Sequence, residues 1–388
     1  MKRQPFGFII ALVFAFFCLN ATAANNTPAP PDFAFPKKVS QQSEQKLKKA
    51  LRAGDDIEAL RALTDFALAQ GSISEQNLPK ALGMFSDIAS KLRSKAATSV
   101  LCLLKATVYN EIYSDNKWVY DQRSLPLSPL PADYTEWSGA QFRNVISQLC
   151  DSAMAAAPDL QRVPIGDYST LIVADAQTAV YFPTLFDFAA CKTIELRCNL
   201  SEFSNCLSIL LLTPLKTFIG TPVYSPSAPE AAKILETYAQ ILRFHENDTA
   251  PLIYNDLARL QFTYSNLYSS MSEKGTERYH QLLVDLYNKY SSSQYSGDIL
   301  LALSDDSYTI SVVPYDDVSQ QNQDTGWDKK YYNMLRDFTA RHPSYPRIAC
   351  IRNIMSGITG PTLSVSSAST IIPGDTLSVT ISGRNIND

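Results

Sequence analysis

From Ser40 onward, apolar positions recur with a helical period over most of the chain. Ser40 is expected to cap a helix to Ala53 whose Lys46, Lys48, Lys49 and Arg52 form a solvated basic face. Asp55 or Asp56 caps the next helix, which carries Ile57, Leu60, Leu63 and Ala67 on one side and ends at Gly71. Leu82, Phe85, Ile88, Ala89 and Leu92 make a further stripe. Ala97 to Tyr113 is apolar on nearly every face, the pattern of a central helix. Residues 114–136, punctuated by Pro126, Pro129 and Pro131, read as a long loop anchored by Trp118, Tyr120 and Tyr134. Helix returns at Trp137–Ala157, and Pro183 fits the first turn of a helix over Thr184–Arg197. Pro214 to Pro229 reads as a second loop.

The last third carries a degenerate repeat. Ile241, Phe244 and Asp248 match Leu283, Leu286 and Tyr290 at an offset of 42, and those match Leu335, Phe338 and His342 at an offset of 52. The polar loop Asp316 to Gly326 absorbs the longer spacing. Each ridge is followed by a break and a second helix: Ala250 to Leu267, Tyr295 to Leu303, Pro346 to Met355. Helix pairs at such spacing predict stacked hairpins of the TPR or HEAT kind. After Gly360-Pro361 the period changes to two: Leu363 and Val365 alternate with Thr362 and Ser364, and Leu377, Val379 and Ile381 with Ser378 and Thr380. Pro373-Gly374-Asp375 supplies a turn between them. The predicted fold is therefore mainly α, an array of helical hairpins followed by the first strands of an incomplete β-sandwich. A sandwich takes about 100 residues, so the chain is expected to be the front end of something longer.

The first residues add a destination. Lys2 and Arg3, the apolar stretch Phe6 to Leu19 and the small residues Ala21-Thr22-Ala23 read as a signal peptide over 1–23. A lipid anchor on Cys18 is the rival reading, disfavoured by the bulk of Phe16 and Phe17 before it. The Pro- and Asn-rich residues 24–39 read as a linker, 40–228 as an N-terminal helical domain, 229–357 as the hairpin repeat region and 361–388 as the start of a β domain. No later segment reaches the roughly 20 apolar residues of a transmembrane helix. The expected location is the periplasm, the outer membrane surface or the exterior. Export permits disulfides, and Cys191, Cys198 and Cys206 form the one cluster dense enough for a bridge. Cys102 and Cys150 sit inside apolar helical patterns, where a thiol behaves as a small hydrophobe.

Composition narrows the chemistry. With 34 Lys+Arg against 38 Asp+Glu the net charge is −4, which argues against a dedicated nucleic-acid binder. The 14 glycines are about half the usual share of roughly 7%, and neither GxGxxG nor GxxxxGK[ST] occurs. The three histidines, His245, His280 and His342, lack zinc spacings, so no cofactor or metal is expected. His245 beside Glu246 and Asp248 is the nearest candidate for a Ser/His/Asp site, but no GxSxG signature accompanies it. Capping or packing at a helix end, where a cation suits the dipole, is the preferred role. The acid pairs Asp305-Asp306 and Asp316-Asp317 lack the alternating ligands that calcium needs and read as solvated loops. Arg123 and Arg259 read as structural pairs or cation–π partners. No catalytic residue is assigned.

Several stretches stand in order over about residues 50–388: Tyr113 to Trp118 with Asn116, Asp121-Gln122-Arg123 and Glu136-Trp137; Phe182-Pro183-Thr184 through Asp187-Phe188; Phe244-His245 leading to Asp256 through Arg259 and Leu260; and Cys350 to Ile354, then Pro361, Ile372-Pro373-Gly374-Asp375 and Arg384-Asn385-Ile386. Together they resemble the N-terminal region of bacterial alpha-2-macroglobulin-family proteins of the Bacteroidetes type. The resemblance implies that 361–388 opens a macroglobulin-like β domain. It also implies an exported endopeptidase inhibitor whose trapping machinery lies in downstream β domains. Those domains are the expected partners, with proteases or envelope proteins beyond them. The Cys-x-Glu-Gln run of a thioester is absent, and no bait segment is recognisable. The competing expectation is a free-standing periplasmic helical-repeat protein that binds a peptide, protein or glycan.

Overall fold

The computed structural model describes residues 35–74, 77–124, 126–172, 178–200, 207–222, 228–267, 273–305, 327–367 and 379–384. The predicted signal peptide, Cys206, the polar loop Asp316 to Gly326, and Pro373, Gly374 and Asn385 lie outside the described residues. Among them the chain is mainly helical, with a single two-stranded antiparallel sheet near its C-terminal end. Backbone contacts divide it into two units, one of residues up to 206 with 219–246, the other of 207–218 with 247–388.

In the first unit, α1 (Pro36–Ala53) and α2 (Asp56–Ile73) form an antiparallel hairpin around Gly54. The turn needs a left-handed residue, and Gly54 supplies φ 73°. The helix starts ahead of Ser40, inside the predicted linker, because Pro36 is preset for the first turn and Val39 is buried. Ser40 is thus an interior residue whose hydroxyl accepts from Gln70 Nε2 at 2.7 Å. Asp55, not Asp56, caps α2 by accepting from Glu58 N–H at 3.0 Å. Asp56 instead accepts from the backbone of Arg93 and Ser94. The helix runs past Gly71 to Ile73. Next come α3 (Leu78–Ala89) and α4 (Lys95–Asp115), the latter capped by Ser94 on Ala97 N–H at 3.0 Å. The all-round apolar surface of α4 makes it the central helix: it packs against α6 (Gly139–Met154) and α9 (Leu185–Cys198).

Between α4 and α6 the expected loop contains one short helix, α5 (Lys117–Asp121), and a 3₁₀ turn at Tyr134–Glu136. The loop is held by Tyr120 and by Trp137, both buried. Trp118 does not anchor it: its side chain is 70% exposed, because the short helix turns Tyr120 to the body and Trp118 away. Two further short helices, α7 (Ala157–Leu160) and α8 (Thr178–Tyr181), precede α9. Pro183 stands just before the Thr184 cap and outside the first turn, and its carbonyl accepts from Ile165 N–H at 3.0 Å. The second expected loop contains α10 (Leu215–Gly220). The helix α11 (Pro229–Phe244), which opens the predicted repeat region, clusters with the first unit and packs on α9.

The second unit holds α12 (Thr249–Ser265), then the hairpins α13 (Glu273–Tyr290) with α14 (Ser296–Asp305) and α15 (Trp327–Arg341) with α16 (Ile348–Thr359). The repeat positions Leu283, Leu286, Leu335 and Phe338 are buried ridges near the ends of α13 and α15. The strap 207–218 belongs to this unit through Leu207 N–H to Asn266 O at 2.9 Å and Arg278 Nε to Leu212 O at 3.1 Å. The sheet is β1 (Thr362–Ser367) paired with β2 (Val379–Arg384) in the register Val365 to Ile381. Period-two alternation therefore puts Leu363, Val365, Ile381 and Val379 on one face.

Candidate functional site

Several of the residues singled out in the sequence fall into three clusters, each best understood from its hydrogen bonds. The first lies at the α5–α6 loop. Arg123 donates through Nη1 to the carbonyls of Thr135 and Trp137, the latter at 2.9 Å, while its guanidinium lies 5.0 Å from the Tyr120 ring centre. Trp137 donates Nε1–H to Pro131 O at 2.8 Å. Asp121 accepts from Tyr113 Oη at 2.9 Å and Arg143 Nη1 at 2.7 Å. Burial raises the Asp121 carboxyl, but the bonds from Arg143, Tyr113 and Lys117 outweigh it and hold the group below the usual aspartate value. Gly139 opens α6 against this carboxylate, and a Cβ there would stand 1.9 Å from Asp121 Oδ1. Asn116 serves as the cap residue between α4 and α5.

The second cluster joins α9 to the end of α11. Asp187 occupies the N3 position of α9, where a carboxylate completes a capping box with Thr184. Its Oδ2 accepts from Thr184 N–H at 2.9 Å and from the Thr184 hydroxyl at 2.7 Å. Its Oδ1 lies 2.6 Å from His245 Nε2. Since the carboxyl oxygen accepts, Nε2 is the donating nitrogen. His245 is 1% exposed and Asp187 0%. A His–Asp pair is the orienting half of a hydrolytic triad, but substrate cannot reach a pair so enclosed. The neighbouring thiol is no nucleophile either: burial pushes Cys191 up, and Asp187 and Glu195 push it further. The imidazole lies at the C-cap position of α11, and its Nε2 bonds a carboxyl on another helix.

The third cluster is in the second unit. Arg259, 1% exposed, donates Nε–H to Asp256 Oδ1 at 2.6 Å, and its guanidinium lies 4.5 Å from the ring centre of Phe218 on the strap. Burial pushes the Asp256 carboxyl up, with Arg259 and Lys289 pulling it back.

Two polar networks were not anticipated. Arg197 on α9, 2% exposed, bonds Glu230 of α11 and Asp151 of α6, the latter at 2.5 Å, and donates to Ser147 Oγ at 3.0 Å. Lys233 completes it on Asp151 at 2.9 Å and Ser147 Oγ at 3.1 Å. A Ser–Lys pair at that distance resembles a nucleophile and base, but Lys233 Nζ also lies 3.8 Å from Glu230, so it is shared between two carboxylates and the Ser147 hydroxyl. Burial raises the adjoining Cys150 thiol to about 12. In the second unit, Asp298 accepts from Tyr345 Oη at 2.6 Å and Arg347 Nη1 at 3.1 Å. Sequence separations of 33 to 86 residues in these networks leave no periodic trace.

Cys191 and Cys198 are free thiols on one helix, seven positions apart. That is a rise of roughly 10 Å, too far for a bridge. Among the described residues no cluster of His, Cys, Asp and Glu is arranged to hold a metal, and no helix is long and apolar enough to cross a membrane. On the β hairpin, Leu363, Val379 and Ile381 are 65%, 48% and 67% exposed, and Val365 beside them 58%. This apolar sheet face is the most conspicuous surface feature of the second unit. Comparison with known families, characterised proteins and solved structures finds no match to this chain.

Proposed function

We propose that this chain is the non-catalytic N-terminal scaffold and docking segment of an exported alpha-2-macroglobulin-like protease inhibitor. In this reading the hairpin opens a macroglobulin-like β domain, and proteases are trapped by β domains further along the same polypeptide, in the periplasm, at the outer membrane or outside the cell. The observation that carries the reading is the hairpin's amphipathic construction. Two isolated strands are marginally stable in water, and Leu363, Val379 and Ile381 present their apolar side to solvent. A second sheet packed on that side would stabilise it by roughly 1 kcal/mol per half-exposed side chain. The polar clusters agree with a scaffold role: Asp187 with His245, and Arg197 with Glu230 and Asp151, are engaged in ties between helices.

The test is a protease challenge of the native envelope fraction, followed with an antibody against residues 229–357. Labelled trypsin is expected to co-migrate with the antibody-detected species and to lose activity on casein. Trypsin that remains free and fully active in the presence of that species would overturn the trapping role.

A further inference from the structure

One surface of the second unit is built differently from the rest. The strap residues Ile209, Leu210 and Leu212 face the first turns of α13, and the space between them is an open cleft of about 540 Å³. That volume lies within the usual ligand range of roughly 300–1,000 Å³. The two walls have opposite chemistry. On the strap side, Ile209 is 38% exposed and Leu210 80% exposed, although Leu210 sits in an ordered 3₁₀ turn capped by Ser208 at 3.2 Å. On the helix side stand Lys274, Glu277 and Arg278, two cations to one acid. The walls are fixed to one another by the bond from Arg278 Nε to Leu212 O. Lys274 forms no ion pair among the described residues. Its ammonium adds to the positive end of the α13 dipole.

We propose that this cleft binds an acidic peptide segment that places one bulky apolar side chain against Leu210. The charge excess of the helix wall selects carboxylates, because an opposite charge near Lys274 and Arg278 meets a net positive field that Glu277 only halves. The apolar lip selects the anchor, since Leu210 gains burial only from an apolar partner. A peptide suits the cleft because it can meet the apolar strap wall and the charged helix wall at once. This inference does not rest on the protease-trapping reading.

The experiment is fluorescence anisotropy of the purified chain with the fluorescein-labelled hexapeptide EDLFDE. The controls are KKLFKK, which reverses the charge, and EDSSDE, which removes the anchor. EDLFDE is expected to bind at least about tenfold more tightly than either control, more weakly as salt is raised. Leu210→Ser and Lys274→Glu are each expected to weaken it about tenfold. Leu210 and Lys274 are exposed, so circular dichroism should be unchanged in both variants. Equal binding of all three peptides, no binding of EDLFDE, or wild-type affinity in both variants would overturn the proposal. Concentration-dependent self-association abolished by Leu210→Ser would overturn it too, by showing a second copy as the occupant.

Discussion

Asp187→Ala tests one of the most enclosed polar contacts among the described residues. The substitution removes the acceptor for three donors: Thr184 N–H, the Thr184 hydroxyl and His245 Nε2–H. At 1% exposure the His245 donor is shielded from water, so removing its Asp187 acceptor costs about 1–3 kcal/mol. The Thr184 groups are half-buried and recover water in part, adding about 1 kcal/mol each with the lost cap. The total is roughly 3–5 kcal/mol. For a unit of this size that lowers the first transition by roughly 10 °C. Because two units need not unfold together, thermal unfolding should be paired with hydrogen exchange of peptides from residues 185–198 and 229–245, which are expected to lose protection selectively. Asp187→Asn keeps an acceptor and should cost about half as much. In a double-mutant cycle with His245→Ala the coupling should be about 1–3 kcal/mol. Unchanged stability in Asp187→Ala, or strict additivity with His245→Ala, would refute the reasoning.

Three other outcomes follow from the same geometry. Asp121 has a lowered folded pKa, so its contribution is present above the ordinary aspartate value of 3.8 and is lost as pH falls through the folded value. Asp121→Asn should flatten that acid limb of a stability–pH curve, and an unaltered limb would contradict the assignment. Burial holds Cys150 near 12 and Cys198 near 11, whereas Cys350 is exposed. Iodoacetamide at pH 8 should therefore label Cys350 well before Cys150 in peptide mass maps, and equal rates would count against the packing. Leu363→Ser with Ile381→Ser should reduce dye binding to exposed apolar surface while leaving the helical transition in place. A lowered helical transition would mean that the hairpin packs on the helices.

Much of the helical frame was legible because burial imposes a 3.6 period and caps mark the ends: Asp55 and Pro229 begin helices where elementary rules put such residues. The switch to period two at Thr362 was equally plain, and the register of Val365 with Ile381 follows from it. Short helices such as Lys117–Asp121 and Leu215–Gly220 escaped notice, since one turn gives no period to read. Trp118 misled for a related reason: in a five-residue helix a turn of the backbone decides which aromatic faces the body. His245 and Asp187 each drew attention, yet nothing local couples residues 58 positions apart. The strap 207–218 was invisible as well, since its place depends on Arg259 and Arg278, which follow it in the chain.

The central claim is that the exposed hairpin face belongs to a β domain completed by further polypeptide. The most direct measurement is the mass of the native product, by immunoblot of envelope extract with an antibody against residues 229–357. The account predicts a band far above the 43.0 kDa of this chain. A band at or just below 43.0 kDa, as signal cleavage alone would leave, would contradict it.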